Sequence, residues 1–302
     1  MSMKLLHQEQ ATGNNNMIDL HFHSTFSDGS LTPTELVKRA DRLGLTGLSL
    51  TDHDCTFGVP EFMDALKETN ITGISGVELS IEVPKGTFHL LGYMFDIEDS
   101  NFQKVLDGIR GGREVRNVHI LEKINMLGMG MTWEEVEERA GEGVVGRPHF
   151  AQVMINKGYV SNKQEAFDKY LAKGKPAYFD RMRLFPIDGI KAIREAGGIA
   201  VLAHPMTLAL SGVRLFNYIS ELKDNGLQGM EVYYSEHSND YINIYNDIAK
   251  RLDLVASGGS DFHGDLNPNI ELGRGFGNLS VPDSVLEELR ELGNFSIKPR
   301  EA

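Results

Sequence analysis

The stretch 17–23, Met17-Ile18-Asp19-Leu20-His21-Phe22-His23, decides the fold. Ile18, Leu20 and Phe22 alternate with Asp19, His21 and His23, so an extended chain sends the apolar set to one face and the polar set to the other. Two imidazoles at i and i+2 on one face of a strand can converge on one ion. Outward from this strand, 32–43 reads as a helix, with Thr32 as cap, Pro33 at its first position and Glu35 completing a capping box. The run 45–50 is the next strand. Further strands are expected at 71–77, 88–95, 199–203, 229–234 and 254–257, with helices at 60–69, 188–196, 213–225 and 240–251. Strands alternating with helices imply βαβ units, a parallel sheet and a (β/α) barrel, and the count leaves room for fewer than eight strands.

Residues 99–180 break that alternation. They carry helical periodicities alone, at 102–127, 133–140, 148–157 and 163–171, and read as an inserted helical subdomain. The expected organisation is a flexible tail over 1–16, barrel segments at 17–98 and 181–302, and the insertion at 99–180 between them. The insertion holds 12 basic and 12 acidic residues, so the −13 net charge falls on the remainder. Balanced charge and the lack of a concentrated basic helix speak against a helix-turn-helix reader of DNA. In the insertion, Arg113 and Arg116 read as a solvated helix face, and Trp133 with Leu127, Met129 and Met131 reads as core.

At 302 residues the chain is long enough for two domains or for one barrel with an insertion. With 41% hydrophobic and 24% charged residues it is ordinary globular material, which excludes disordered and collagen-like classes. No apolar run approaches the roughly 20 residues of a membrane span, and the opening residues lack a secretory core. The single cysteine, Cys55, excludes an internal disulfide framework and fits a cytoplasmic location. Thirty basic against 43 acidic residues argue against long DNA or a membrane surface as a partner. An anionic substrate therefore needs a local attraction.

That attraction is written at the strand ends, where six of the ten histidines fall: His21, His23, His53, His89, His204 and His263. His53 follows a strand between Asp52 and Asp54, and Glu78 leaves an apolar strand where a carboxylate needs a partner. His204 precedes a proline, and Asp261 and His263 repeat the i, i+2 spacing. Asp28 adds a carboxylate from the loop after the first strand. Nitrogen and carboxylate donors without thiolate suit zinc, manganese or iron. Asp52 is a candidate to orient a ligand imidazole. Arg147 and His149 are the candidates in the insertion for substrate contact, since a guanidinium reads phosphate oxygens two at a time. His237 reads as an exposed loop residue.

The motifs DLHFHSTFSDGS, TDHD, GVELS, FHLLGY, VLAHP and SGGSDFHG, in this order over 17–100 and 185–265, resemble the PHP (polymerase and histidinol phosphatase) family of metal-dependent phosphoesterases. GRPHFAQVMINKGYV and KYLAKGKPAY are similar to the helical insert of its short members, among them phosphatases of AMP and nucleoside 3′,5′-bisphosphates. The resemblance implies a distorted (β/α)7 barrel holding three divalent ions (Mn2+, Fe2+ or Zn2+). It places His21, His23, Glu78 and Asp261 on the first ion, Glu78, His89 and His204 on the second, and Asp28, His53 and His263 on the third. It implies hydrolysis of a phosphate ester by metal hydroxide, on a small phosphorylated metabolite or nucleotide: the 5′-phosphate of a nucleoside 3′,5′-bisphosphate, AMP or short 5′-phosphorylated RNA. Histidinol phosphate and a cyclic phosphodiester are the alternatives within that class. An amidohydrolase-like C–N hydrolase and a non-catalytic PHP module are the alternatives outside it.

Overall fold

The computed structural model describes residues 17–141, 143–180 and 184–296, with side chains to 293; the expected tail, 1–16, lies outside them. Seven strands form one sheet in sequence order: β1 Met17–Phe22, β2 Leu45–Leu50, β3 Thr72–Ile81, β4 Phe88–Tyr93, β5 Ile199–Leu202, β6 Gly229–Tyr234 and β7 Val255–Gly259. The sheet curls into a nearly closed barrel. Between β7 and β1, His23 N–H donates to the Phe262 carbonyl at 2.9 Å and Asp261 N–H to the His21 carbonyl at 2.7 Å. Gly259 is required at this seam, because a Cβ there would lie 2.4 Å from the His21 backbone.

The sheet is not wholly parallel, as the alternation had implied. β4 runs antiparallel to both β3 and β5. The six-residue link 82–87 is too short for a crossover helix, so the chain turns back as a hairpin. All other neighbours are parallel.

Helices α1 Pro33–Leu43, α2 Val59–Leu66, α7 Pro186–Glu195, α8 Gly212–Asp224 and α9 Asn239–Arg251 cover the barrel. α1 begins with the expected box: Glu35 N–H donates to Thr32 Oγ1 and Thr32 N–H to the Glu35 carboxylate, and Gly44 ends it in the left-handed region. A further helix, α10 Ser284–Ser296, was not anticipated, and Val285, Leu286 and Leu289 bring it onto the cluster of Ile18, Leu20 and Val201.

Between β4 and α7 the chain forms α3 Ser100–Met126, α4 Trp133–Ala140, α5 Arg147–Asn156 and α6 Lys163–Ala166, the last continued by a π-helical turn, Phe167–Leu171. These share an apolar cluster of their own that includes Ile120, Ile124, Met131, Val136, Phe150 and Met154. Met129 and Met131 are buried there and Trp133 packs against it, whereas Leu127, the residue that ends α3, is exposed. Arg113 and Arg116 are buried, not solvated: α3 turns a polar face toward the barrel, and both line the cavity between them. No helix among the described residues is long and apolar enough to cross a membrane.

Candidate metal centre

The strands and the loops at their ends bring His21, His23, Asp28, His53, Glu78, His89, His204, Asp261 and His263 to one mouth of the barrel. Glu78 is the hub. Its Oε2 lies 3.5 Å from His21 Nε2, 3.3 Å from His23 Nε2 and 2.9 Å from His53 Nδ1, and its Oε1 lies 2.8 Å from His89 Nδ1 and 3.1 Å from His204 Nε2. Asp261 Oδ1 sits 3.4 Å from His21 Nε2 and 3.1 Å from His23 Nε2. Asp28 Oδ1 is 3.3 Å from His263 Nε2. Donor atoms within 4.8 Å of one another fall into three groups: His21, His23, Glu78 and Asp261; His53, Glu78 and His89; and His23, Asp28, His53 and His263. His53 joins Glu78 and His89 in the second group, and His204, expected there, lies equally near, its Nε2 3.1 Å from Glu78 Oε1 and 3.3 Å from His89 Nδ1.

Outer hydrogen bonds fix how the rings point. Glu231 Oε1 accepts from His21 Nδ1 at 3.0 Å and Oε2 accepts from the His204 backbone N–H at 2.7 Å, leaving His21 Nε2 for the cluster. Thr207 Oγ1 pairs with His204 Nδ1 at 3.1 Å, and the Asp261 carbonyl accepts from His263 Nδ1 at 2.9 Å. Asp52 acts one step further out. Its carboxylate accepts from Ser24 N–H, Ser24 Oγ and Ser27 Oγ, and Ser27 Oγ lies 3.5 Å from His23 Nδ1. His204 and Asp261 hold φ values of 24° and 56°, a strained region for residues with a Cβ.

Burial raises the cost of charge on Glu78, Asp28 and Asp261, but the facing imidazoles hold all three well below the usual carboxylate range. Burial also works against protonated imidazoles. Nevertheless Glu231, Asp261 and Glu78 hold His21 well above its ordinary value, and the facing carboxylates of Asp261 and Glu78 raise His23 to about 10. His89 is taken down to about 4 by burial with His53 and His204 beside it, despite Glu78. The cluster is built around ionised carboxylates that attract positive charge. His21 Nε2, His23 Nε2, His53 Nδ1, Asp28 Oδ1 and Glu78 Oε2 are buried with no hydrogen-bond partner, although they converge. Unpartnered nitrogen and oxygen donors that face one another fit divalent cations as the common partner.

A cavity of about 500 Å³ opens over this mouth. Asp28, His53, His89 and His263 line one side, and Arg113, Arg116, Arg147, Lys163 and Lys173 line the other. Arg147, at the start of α5, donates to the Leu171 carbonyl at 3.1 Å and lies over the Phe167 and Tyr178 rings. His149 is buried, and its Nδ1 accepts from Gly146 N–H at 3.0 Å, which caps α5. It is not among the residues that line the cavity. His237, expected to be exposed, is buried: its Nδ1 donates to the Val232 carbonyl and its ring packs on Tyr234 and Tyr245, because α9 folds back over β6.

Three residues at the site escaped sequence reading. Glu231, in the apolar run GMEVYY, gave the same signal as Glu78 and could have been found by it. Tyr234 Oη donates to Asp261 Oδ2 at 3.0 Å, and nothing in its spacing marks it. Asp19 accepts from the His21, Ser260 and Gly273 backbone N–H groups, and burial raises its pKa to about 6.

A family model described as PHP domain matches residues 19–139. The chain is 37% identical to a 5′-3′ exoribonuclease of Haemophilus influenzae, over 89% of this chain and 96% of that one. It is 36% identical to a 3′,5′-nucleoside bisphosphate phosphatase of Chromobacterium violaceum, over 82% and 87%. The structure of an inferred metal-dependent phosphoesterase from Bifidobacterium adolescentis superposes with a TM-score of 0.84 at 27% identity, covering 92% of this chain and 96% of that one.

Proposed function

The chain belongs to the PHP family of metal-dependent phosphoesterases, and from that premise we propose that it hydrolyses a phosphate ester of a nucleotide-like substrate. The candidates are the 5′-phosphate of a nucleoside 3′,5′-bisphosphate, AMP and short 5′-phosphorylated RNA. The observation that carries this reading is the two-sided cavity: a carboxylate and imidazole cluster on the barrel, and Arg113, Arg116, Arg147, Lys163 and Lys173 opposite. An imidazole ligates a metal in its neutral form, so on ion binding the six imidazoles and three carboxylates would sum to −3, and three divalent ions would leave the cluster net positive and attractive to phosphate.

The three donor groups around Glu78, Asp261 and Asp28 would each hold one ion, of manganese, iron or zinc. When bound, such ions stabilise phosphoryl oxygens and lower the pKa of a water toward neutrality. The protein side of the reaction is positional. Glu231, Thr207 and the Asp261 carbonyl fix the tautomers of His21, His204 and His263, so that each turns its other nitrogen inward. The guanidinium of Arg147 is steadied by two aromatic faces and a carbonyl, which places a cation at the cavity wall for phosphate oxygens. Phe88, Phe167 and Tyr178 line the same cavity and offer apolar surface for the remainder of a nucleotide. On this reading 99–180 acts as the wall that selects substrate, 17–98 and 181–302 as the barrel that holds the ions, and the enzyme works in the cytoplasm.

Phosphate release from a panel tests this: AMP, adenosine 3′,5′-bisphosphate, a 5′-phosphorylated dinucleotide, histidinol phosphate and a cyclic phosphodiester, with Mn2+-loaded and chelated protein. The expected result is release from the first three that chelation removes. Release confined to histidinol phosphate or the cyclic ester would overturn the substrate class.

A further inference from the structure

Asp54 and Arg113 make a buried ion pair next to the cluster, and neither belongs to the donor set. We propose that Arg113 is a positioning residue for the ion group His53, Glu78 and His89, acting through Asp54 and Ser80; the proposal rests on the metal-centre reading above.

Asp54 follows His53 directly and holds φ at 56°, a left-handed value rarely adopted by a residue with a Cβ. Something must hold it there. Its Oδ1 accepts from Ser80 N–H at 2.6 Å, and its Oδ2 accepts from Ser80 Oγ at 2.9 Å and from Arg113 Nε and an Arg113 terminal nitrogen at 2.7 and 2.5 Å. That terminal nitrogen also reaches Ser80 Oγ at 3.1 Å. Asp54 N–H donates to the Glu78 carbonyl at 2.9 Å, and Glu78 N–H to the Asp52 carbonyl at 3.2 Å, so His53 runs beside Glu78 as a short parallel bridge. Ser80 is in turn the cross-strand partner of His89 on β4.

One carboxylate thus ties the loop bearing His53 to the strand bearing Glu78 at the rung that faces His89. These are the three members of one donor group. Both partners of the pair are buried, and Arg113 of α3 brings to Asp54 a positive charge from the helical wall. The helical wall therefore reaches the barrel's chemistry through this pair. Arg113 also lines the cavity, but it aims two guanidinium nitrogens at Asp54. The geometry assigns it to the ligands.

The test uses the full chain with Mn2+ as probe, following free Mn2+ by its electron paramagnetic resonance signal and substrate turnover separately. Arg113→Gln is expected to weaken at least one class of bound ion about 10- to 100-fold. At limiting Mn2+ its kcat falls while KM holds, and excess Mn2+ recovers kcat. Arg113→Lys and Ser80→Ala move the same isotherm less. A raised KM with a wild-type Mn2+ isotherm would make Arg113 a substrate contact and overturn the proposal. So would a lowered melting temperature with an unchanged isotherm. If Arg113→Gln does not fold, unchanged isotherms in both milder variants overturn it. A wild-type chain that binds no Mn2+ removes the metal-centre reading itself, and the proposal with it.

Discussion

On the barrel side of the cavity, Glu78 lies within 3.5 Å of five imidazoles, each carried on a short strand or the loop that ends one. On the helical side, the cations are long side chains from α3, α5, α6 and the turn after it. The strand ladder sets the barrel groups, Glu231 and Thr207 fix the rings of His21 and His204 from behind, and Asp54 ties the loop after β2 to Ser80 of β3. Packing between helices and rings sets the wall groups, as Phe167 and Tyr178 do for Arg147. The contrast teaches that loss on the barrel side should appear in the chemical step, and loss on the wall side in binding, except at Arg113, whose guanidinium is turned to Asp54 of the barrel.

The harshest way to break that division is to remove a barrel donor. His53→Ala and Asp261→Asn should each lower kcat by roughly 10²–10³-fold or more, the scale of losing transition-state charge stabilisation. Their circular dichroism should match wild type. Wild-type turnover in either variant would end the assignment. A smaller effect is expected one layer behind. Glu231→Gln keeps the shape but weakens the hydrogen bond to His21, and should cost about 10- to 100-fold in Mn2+ affinity, read by titration. Unchanged affinity would show that the ring needs no carboxylate behind it. The mildest change falls on the wall. Arg147→Ala removes a charge-assisted contact, nominally 1.5–3 kcal/mol, and should raise KM by about 10- to 100-fold with kcat within a few-fold of wild type. A fall in kcat at unchanged KM would erase the division.

The same contrast explains what sequence could reveal. β2, β6 and α4 are found at their anticipated bounds, and α1 with its capping box, because alternation, helical period and caps are local signals. His21, His23, Asp261 and His263 were legible for the same reason, since i, i+2 spacing on or after a strand is a short-range fact. The reversal of β4 was not drawn, although the short link 82–87 carries its cause. The burial of Arg113 and His237 depends on which helix folds over which strand, a relation between residues far apart in the chain. α3 has charges on several faces, so periodicity could not say which one meets the barrel. Asp52 was singled out beside His53, while its neighbour Asp54 makes the pair with Arg113.

The central claim is that side chains gathered at one mouth of the barrel hold the ions on which hydrolysis depends. Its most direct test counts Mn2+ bound per chain by equilibrium dialysis after chelation, for wild type and Asp261→Asn, with phosphate release from adenosine 3′,5′-bisphosphate measured on the same samples. The account predicts three ions per wild-type chain, at least one fewer in the variant, and turnover that rises only as the ions are restored. Full turnover from chelated protein with no ion bound would contradict it.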